Sequence, residues 1–458
     1  MNLIRKYFVT IVILGLINEG FSQDNKETLK LSISEAQEYA LQNNRTVQTA
    51  KIDVDIATKQ VKETVAIGLP QLNLAGNYQH QFVIPQLSFG EYMDKNALPD
   101  NGYLTKNDIL DAYKQSAPIP LGVNNNTTFD FTLSQLIFSG EYLVGIHAVK
   151  IIKQISEKAL VKTEDMTKES VAGTYYLILV LGESVKVLKE SLTTIDRTYN
   201  EQVKMNEQGF NEDTDVDQIK ISRSNLIRLI TAIESQKDIS TKLLKYQLGM
   251  DFTQPIELTD SIPGFIREGN LQYLNSPVYN VSKSIDYQII NDQVFVSSLL
   301  LKREQSKWLP SVSGFYQRHE QTNPPALNFA VKDLVSVSLN FPVFTSGQRT
   351  SRISQAKFNL DKSTINMENA GQGLILEFET ALSTYQTAYR NFTTNSETIV
   401  LSKKIYEKSI IKFEEGVSSS FELSQNQSQF LTAESNYYTS VLNLLNAKAK
   451  LDRILSIN

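Results

Sequence analysis

The sequence predicts a mainly α fold with a small β part, built as a twofold repeat of helix, strand, strand, long helix and helix. Three features of the 458 residues carry this prediction. The same succession of landmarks occurs twice, proline leaves two long windows empty, and four short runs alternate apolar with polar residues.

The repeat comes first. NNRTVQTAKIDVDIATKQ leads to Leu69-Pro70, and SIDYQIINDQVFVSSLL leads to Leu309-Pro310. Aligned on Leu-Pro, Gln48 meets Gln288 and Val54 meets Val294. Each Leu-Pro is followed by two alternating stretches. The second of these ends at Phe138-Ser139-Gly140 in one copy and at Phe344-Thr345-Ser346-Gly347 in the other. A long helical tract then runs to Glu207-Gln208-Gly209 or Glu414-Glu415-Gly416, and a last helical tract closes each copy. The matches are individually loose, and their shared order is the signal. The first copy covers 23–248, with strands at about 71–82 and 127–138 and a long helix at about 141–208. The second covers 278–458, with strands at about 311–318 and 334–344 and a long helix at about 347–415. Residues 249–277, with Pro255, Pro263, Gly264 and Gly269, read as a linker.

Proline breaks helix interiors. None of the 12 prolines lies between Leu121 and Gln254 or after Pro342. Those windows hold the long tracts. Each tract is about 68 residues, which at about 1.5 Å per residue reaches on the order of 100 Å. In the final helix Leu423, Phe430, Tyr437, Leu444 and Leu451 recur every seven residues, with Ala433, Ala447 and Ile454 beside them. Such heptads specify helix-on-helix supercoiling, as in a coiled-coil rod or a helical tube.

The strands alternate with period two. Leu72, Leu74, Gly76, Tyr78 and Phe82 oppose Asn73, Ala75, Asn77, Gln79 and Gln81, with His80 interrupting. Phe129, Phe131 and Leu133 oppose Thr128, Asp130, Thr132 and Ser134. Val335, Val337, Leu339 and Phe341 oppose Ser336, Ser338 and Asn340. The run Ser311 to Arg318 is weaker, with Val312, Gly314 and Tyr316 on one face and Phe315 on the other. A soluble sheet with one wet face has this pattern. So does a barrel wall with lipid outside and water inside. Four strands cannot close a single-chain barrel, whereas three chains supply twelve. The segments Val83–Asn126 and His319–Lys332 read as surface loops.

Composition narrows the function. The 45 Lys+Arg against 50 Asp+Glu give no basic face for nucleic acid. With no cysteine there is no disulfide, thiolate metal site, cysteine nucleophile or acylated N-terminal cysteine. Residues 1–22 read as a signal peptide. Arg5 and Lys6 precede the apolar run Tyr7–Ile17, and Gly20 and Ser22 precede a cut before Gln23. That run is too short for a membrane span, and no long apolar run follows Gln23. Membrane entry is then left to strands in a closed barrel.

No catalytic, cofactor or metal site is expected. Asp213, Asp215 and Asp217 open like a calcium loop, but Gln218 stands where glycine belongs and Ser224 where glutamate belongs. Helix capping and dipole explain such acids better. His80, His147 and His319 have no metal spacing. There is no phosphate-cradling glycine loop, nucleophile elbow or HExxH pair. Trp308, before Leu309-Pro310, suits an interface or plain packing. The two turns matter most. Asp215 and Gln218 lie six and nine residues beyond Gly209, as Glu422 and Gln425 lie beyond Gly416. In a symmetric assembly these four form polar rings where long and final helices meet, or else they cap helices.

The order of these motifs resembles the TolC family of outer-membrane efflux proteins. Leu31-Ser32-Ile33-Ser34-Glu35-Ala36 through Ala40-Leu41-Gln42-Asn43-Asn44, Gly68-Leu69-Pro70-Gln71-Leu72 and Ala447 to Leu455 look like that family's segments. The resemblance covers the mature chain. It implies a homotrimer with a 12-stranded β-barrel in outer-membrane lipid on a long periplasmic α-helical barrel. It also implies a periplasmic adaptor and an inner-membrane pump as partners, with no cofactor. The family closes its periplasmic tip with acidic rings in the second copy, so Glu422 and Gln425 occupy the gate positions. Gln425 departs from the family's acid. The expected function is a passive exit duct for efflux or type I secretion, with drugs, metal ions and polypeptides all open as cargo. A soluble periplasmic coiled-coil adaptor or scaffold is the competing expectation.

Overall fold

The computed structural model describes residues 28–87, 107–109, 111, 118–269 and 278–455. The signal-peptide segment 1–22 and most of the loop read at 83–126 lie outside the described residues. The chain divides into two compact units. One comprises Ala50–Leu160 and Ile285–Gly373, the other Met1–Thr49, Val161–Ser284 and Leu374–Asn458.

The described residues begin with strand β1 (Leu29–Leu31) and helix α1 (Ile33–Asn43), followed by α2 (Arg45–Ala66), β2 (Gln71–His80), β3 (Gln86–Leu87), β4 (Ile119–Pro120) and β5 (Asn125–Phe138). Then come α3 (Gly140–Glu207), α4 (Asp213–Leu248), β6 (Ile256–Leu258) and α5 (Ile262–Gly269). The second half holds α6 (Ile285–Ser306), β7 (Ser311–Gln321), β8 (Asp333–Asn340), α7 (Gln348–Glu414) and α8 (Ser420–Ile454). β2 stops at His80 rather than at 82. β8 stops at Asn340, because Pro342 has no N–H for a ladder.

The unit of residues 50–160 and 285–373 carries an antiparallel sheet in the order β2-β5-β7-β8. Each repeat supplies two neighbouring strands, and the β5–β7 ladder joins the repeats. One face carries the rows Leu72–Leu133–Tyr316–Val335 and Leu74–Phe131–Arg318–Asp333. The other carries Asn73–Thr132–Gln317–Leu334 and Ala75–Asp130–His319. The apolar face is therefore interrupted on one side. There Arg318 pairs with Glu320 at 2.6 Å and Tyr316 donates to Asp333 at 2.7 Å. The weak alternation of Ser311–Arg318 concealed this. β3 and β4 pair at the base of the long loop.

The other unit is held by helix packing. Among the described residues four buried clusters run through it, and the largest of these joins Leu188 and Ile195 of α3, Leu226 of α4, Tyr406 and Phe413 of α7, and Leu423 and Phe430 of α8. The stretch read as a linker contains built structure. β6 pairs in parallel with β1, and the buried Tyr175 hydroxyl donates to the Leu31 carbonyl at 2.9 Å and lies 2.9 Å from Asp260. Burial raises the Tyr175 hydroxyl's pKa above the ordinary tyrosine range. Arg453 of α8 reaches Glu169 of α3 at 2.5 Å and Glu377 of α7 at 2.9 Å, tying three helices together.

α3 also holds an 18-residue window of mean hydropathy 1.4, apolar enough by composition to cross a membrane, of which 39% is buried. The sequence reading, which finds no long apolar run after Gln23, passes over this window. The buried Val171, Tyr175, Ile178 and Val180 of α3 belong to helix-packing clusters, which accounts for its apolarity.

Candidate functional site

The two turns predicted as a candidate constriction have the same backbone construction. Gly209 and Gly416 sit at φ 76° and 72°, where a β-carbon is disfavoured. In the first turn the Gly209 N–H donates to Asn206 and the Phe210 N–H to Met205. In the second, Gly416 donates to Phe413 and Val417 to Lys412. These are the paired C-terminal bonds that satisfy the last carbonyls of a helix. The sequence repeat is thus a repeat of turn chemistry.

Side chains then differentiate the copies. Ser419 caps α8, its Oγ accepting the Glu422 N–H at 3.2 Å. The Glu422 carboxylate is consequently left outside the cap, on an exposed position, and Gln425 is exposed as well. At α4 the N-cap is Glu212, which makes no side-chain cap bond. Asp215 is half-buried and accepts the Ser420 hydroxyl of α8 at 2.5 Å. One turn or so further on, Ser222 and Ser424 lie 3.0 Å apart. The structure therefore brings Asp215 against the start of α8, while Gln218 is half-buried and Glu422 and Gln425 stay outside that contact. Of the three acids resembling a calcium loop, Asp213 instead accepts from Asn206 at 2.9 Å. No group of three or more metal-ligating side chains occurs among the described residues.

The histidines are local. His80 lies 2.7 Å from Asn125, His319 lies 2.7 Å from Asp130, and His147 contacts the Leu143 carbonyl at 2.9 Å. Trp308 is half-exposed at the end of α6, with the Arg349 guanidinium 5.2 Å above its ring. Arg349 is fixed there by donating to the Pro342 carbonyl at 2.9 Å.

Beyond the predicted heptad and the Ala433, Ala447 and Ile454 beside it, α8 buries a further stripe that the sequence did not point to. Leu423, Phe430, Tyr437, Leu444 and Leu451 are one heptad series. Three residues before each stands a second, of which Ser420, Gln427, Glu434 and Val441 are buried. The first three are polar. The spacing was legible, but polar residues on a heptad read as surface unless the second series is drawn.

These features define a class: a duplicated strand-pair and helical-hairpin protein whose sheet exposes apolar side chains. Residues 301–456 match the model of the outer membrane efflux protein family. No curated protein matches the chain. The solved Campylobacter jejuni CmeC outer membrane channel is similar at 15% identity, covering 92% of this chain and 85% of that one, with a TM-score of 0.71. The open-state Neisseria gonorrhoeae MtrE outer membrane channel is similar at 16% identity over 93% of this chain and 88% of that one, with a TM-score of 0.70. The outer membrane protein VceC of Vibrio cholerae is similar at 14% identity over 92% and 95%, with a TM-score of 0.68. The family match lies within the second repeat, and the fold of the chain is that of these solved outer membrane channels.

Proposed function

We propose that the protein is an outer-membrane channel subunit, a passive exit duct of a tripartite efflux or type I secretion system, without enzymatic activity. One observation carries this: the sheet exposes an apolar face and a polar face at once. Leu72 is 72% exposed and Val335 75%, and Leu74, Val337 and Leu339 are exposed beside them. A soluble sheet buries its apolar face against another layer, and an exposed apolar patch marks a lipid or protein partner. The soluble adaptor or scaffold reading leaves that face in water. The strands β2 and β8 have open edges among the described residues, which other chains can pair. Three copies then give twelve strands, an even number within the range of outer-membrane barrels. The apolar face meets lipid, and the row of Asp130, Thr132, Gln317 and His319 faces the water-filled lumen.

In this reading the helical unit extends the duct through the periplasm, where an adaptor and an inner-membrane pump join it. Glu422 and Gln425, exposed at the second turn, face the axis as the narrowest ring. Asp215 and Gln218 form a flanking ring, with Asp215 held by Ser420. Purified protein reconstituted in planar bilayers tests the reading. It predicts stepwise single-channel conductance from a trimer that needs detergent for extraction. A trimer that never conducts, or a chain released from cells without detergent, overturns it.

A further inference from the structure

Glu434 has no place in the duct described above. It lies in the polar stripe of α8 at 2% exposure, and neither carboxylate oxygen has a hydrogen-bond partner. Seven residues nearer the turn, Gln427 is 3% exposed and its amide nitrogen is also unsatisfied. Seven residues further from it, the same stripe becomes apolar at the fully buried Val441. The half of α8 nearest the turn therefore packs through a seam that carries unpaired polar groups. An unpaired buried carboxylate is costly as an anion and tolerable as a neutral acid.

The charged groups at the same level on the other helices cannot neutralise it. Glu183, Lys186, Lys189 and Glu190 of α3, Arg228 and Glu234 of α4, and Glu397, Lys403 and Lys404 of α7 are exposed. Lys189 is already paired with Glu234 at 2.6 Å. On α8 itself the neighbours are Tyr437 and Tyr438. Burial raises the pKa of both hydroxyls, and the fields of Glu434, Glu183 and Glu190 push Tyr438 further. Tyr406 of α7, stacked on Phe430, is pushed up by burial too. Among the described residues no side chain pairs with the Glu434 carboxylate. The three histidines all belong to the sheet-bearing unit.

We propose that Glu434 makes the packing of the turn-proximal half of α8 proton-dependent. As the neutral acid it fits the seam, and as the carboxylate it drives the segment from Gln427 to Val441 toward a solvated arrangement. Burial pushes this carboxyl from its ordinary 4.5 up to about 7. The packed state therefore holds the proton more tightly than an open state does. Packing is strongest below about pH 4.5, weakens as pH rises toward about 7, and levels off above it. Linkage between those two values raises the population of the open state about tenfold between pH 6 and pH 8.

Amide hydrogen exchange on the full-length protein in detergent tests this. After correction for intrinsic exchange, protection over residues 427–441 should fall about tenfold from pH 6 to pH 8 in the wild type. It should stay flat in Glu434→Gln. Glu434→Leu fills the same space without a titrating group and should be flat as well, which keeps the test open if the glutamine variant folds poorly. The infrared band of a protonated carboxylic acid should be present in the wild type at pH 6, fade by pH 8, and be absent from both variants. Parallel exchange profiles for wild type and a folded variant overturn the proposal. Exchange reads helix packing rather than conduction, so a silent channel and an unswitched Glu434 give separate results.

Discussion

Gly249, the C-cap of α4, offers a stability test with its own controls. Its φ of 72° and ψ of 22° lie in the left-handed region, and its N–H bonds Lys245 and Tyr246. A β-carbon there meets the Asn43 carbonyl oxygen at 2.2 Å and its carbon at 2.8 Å. These are backbone atoms, so no side chain can rotate away. The end of α1 must separate from the end of α4, and the bond from Asn44 Nδ2 to the Gln247 carbonyl at 2.6 Å is strained with it. Gly209 and Gly416 have nearly the same φ but nothing within 4 Å of an added β-carbon. Alanine at either control position costs only the left-handed penalty, about 1–2 kcal/mol. At Gly249 overpacking adds about 1–3 kcal/mol and loss of the amide bond about 1 kcal/mol, for a total of about 3–6 kcal/mol. Urea unfolding followed by helical circular dichroism reads this as a lower midpoint. If the three variants fall within about 0.5 kcal/mol of one another, the contact between α1 and α4 is not what fixes Gly249.

Other outcomes are expected at the turns and the sheet. Glu422→Ala should raise single-channel conductance, and unchanged conductance removes Glu422 from the constriction. Asp215→Ala and Ser420→Ala should each cost about 1–2 kcal/mol, and the double variant should cost little more than either, so additive losses in a denaturation cycle would refute the Asp215–Ser420 bond. Leu133→Lys on the apolar face should destabilise the membrane-inserted protein by about 2–4 kcal/mol. Thr132→Lys on the polar face should be mild, and equal costs in vesicle-insertion titrations would contradict the assignment of faces.

The elements were legible where one residue type sets a local constraint. Proline-free windows marked α3 and α7, and the two turn glycines marked their ends. The strand pairs were legible wherever alternation was clean, as at Phe129, Phe131 and Leu133. The remainder depended on partners distant in sequence. Arg318 takes its face from Phe131 and Asp333, which only register reveals. β6 exists because Leu29–Leu31 pairs with it, so its sequence alone reads as linker. At the turns, Glu422 and Asp215 occupy matching positions in the repeat. Their surroundings diverge because Ser419 caps α8 and Ser420 reaches across to Asp215.

The ladder between β5 and β7 has a consequence for biogenesis. β2 and β5 belong to one repeat, with contacts such as His80 to Asn125 spanning 45 residues, whereas Asp130 and His319 are 189 residues apart. Such non-local pairing gives the sheet a high contact order and makes its completion slow. The first hairpin can form as soon as β5 has been synthesised, but one edge of β5 then stays open until β7, whose last residue is Gln321, has followed Phe138. An open edge beside an apolar face is an aggregation hazard during that interval. Cells making this chain should therefore need a holding chaperone that binds the first hairpin, and a separately expressed first repeat should aggregate rather than accumulate as a half-sheet.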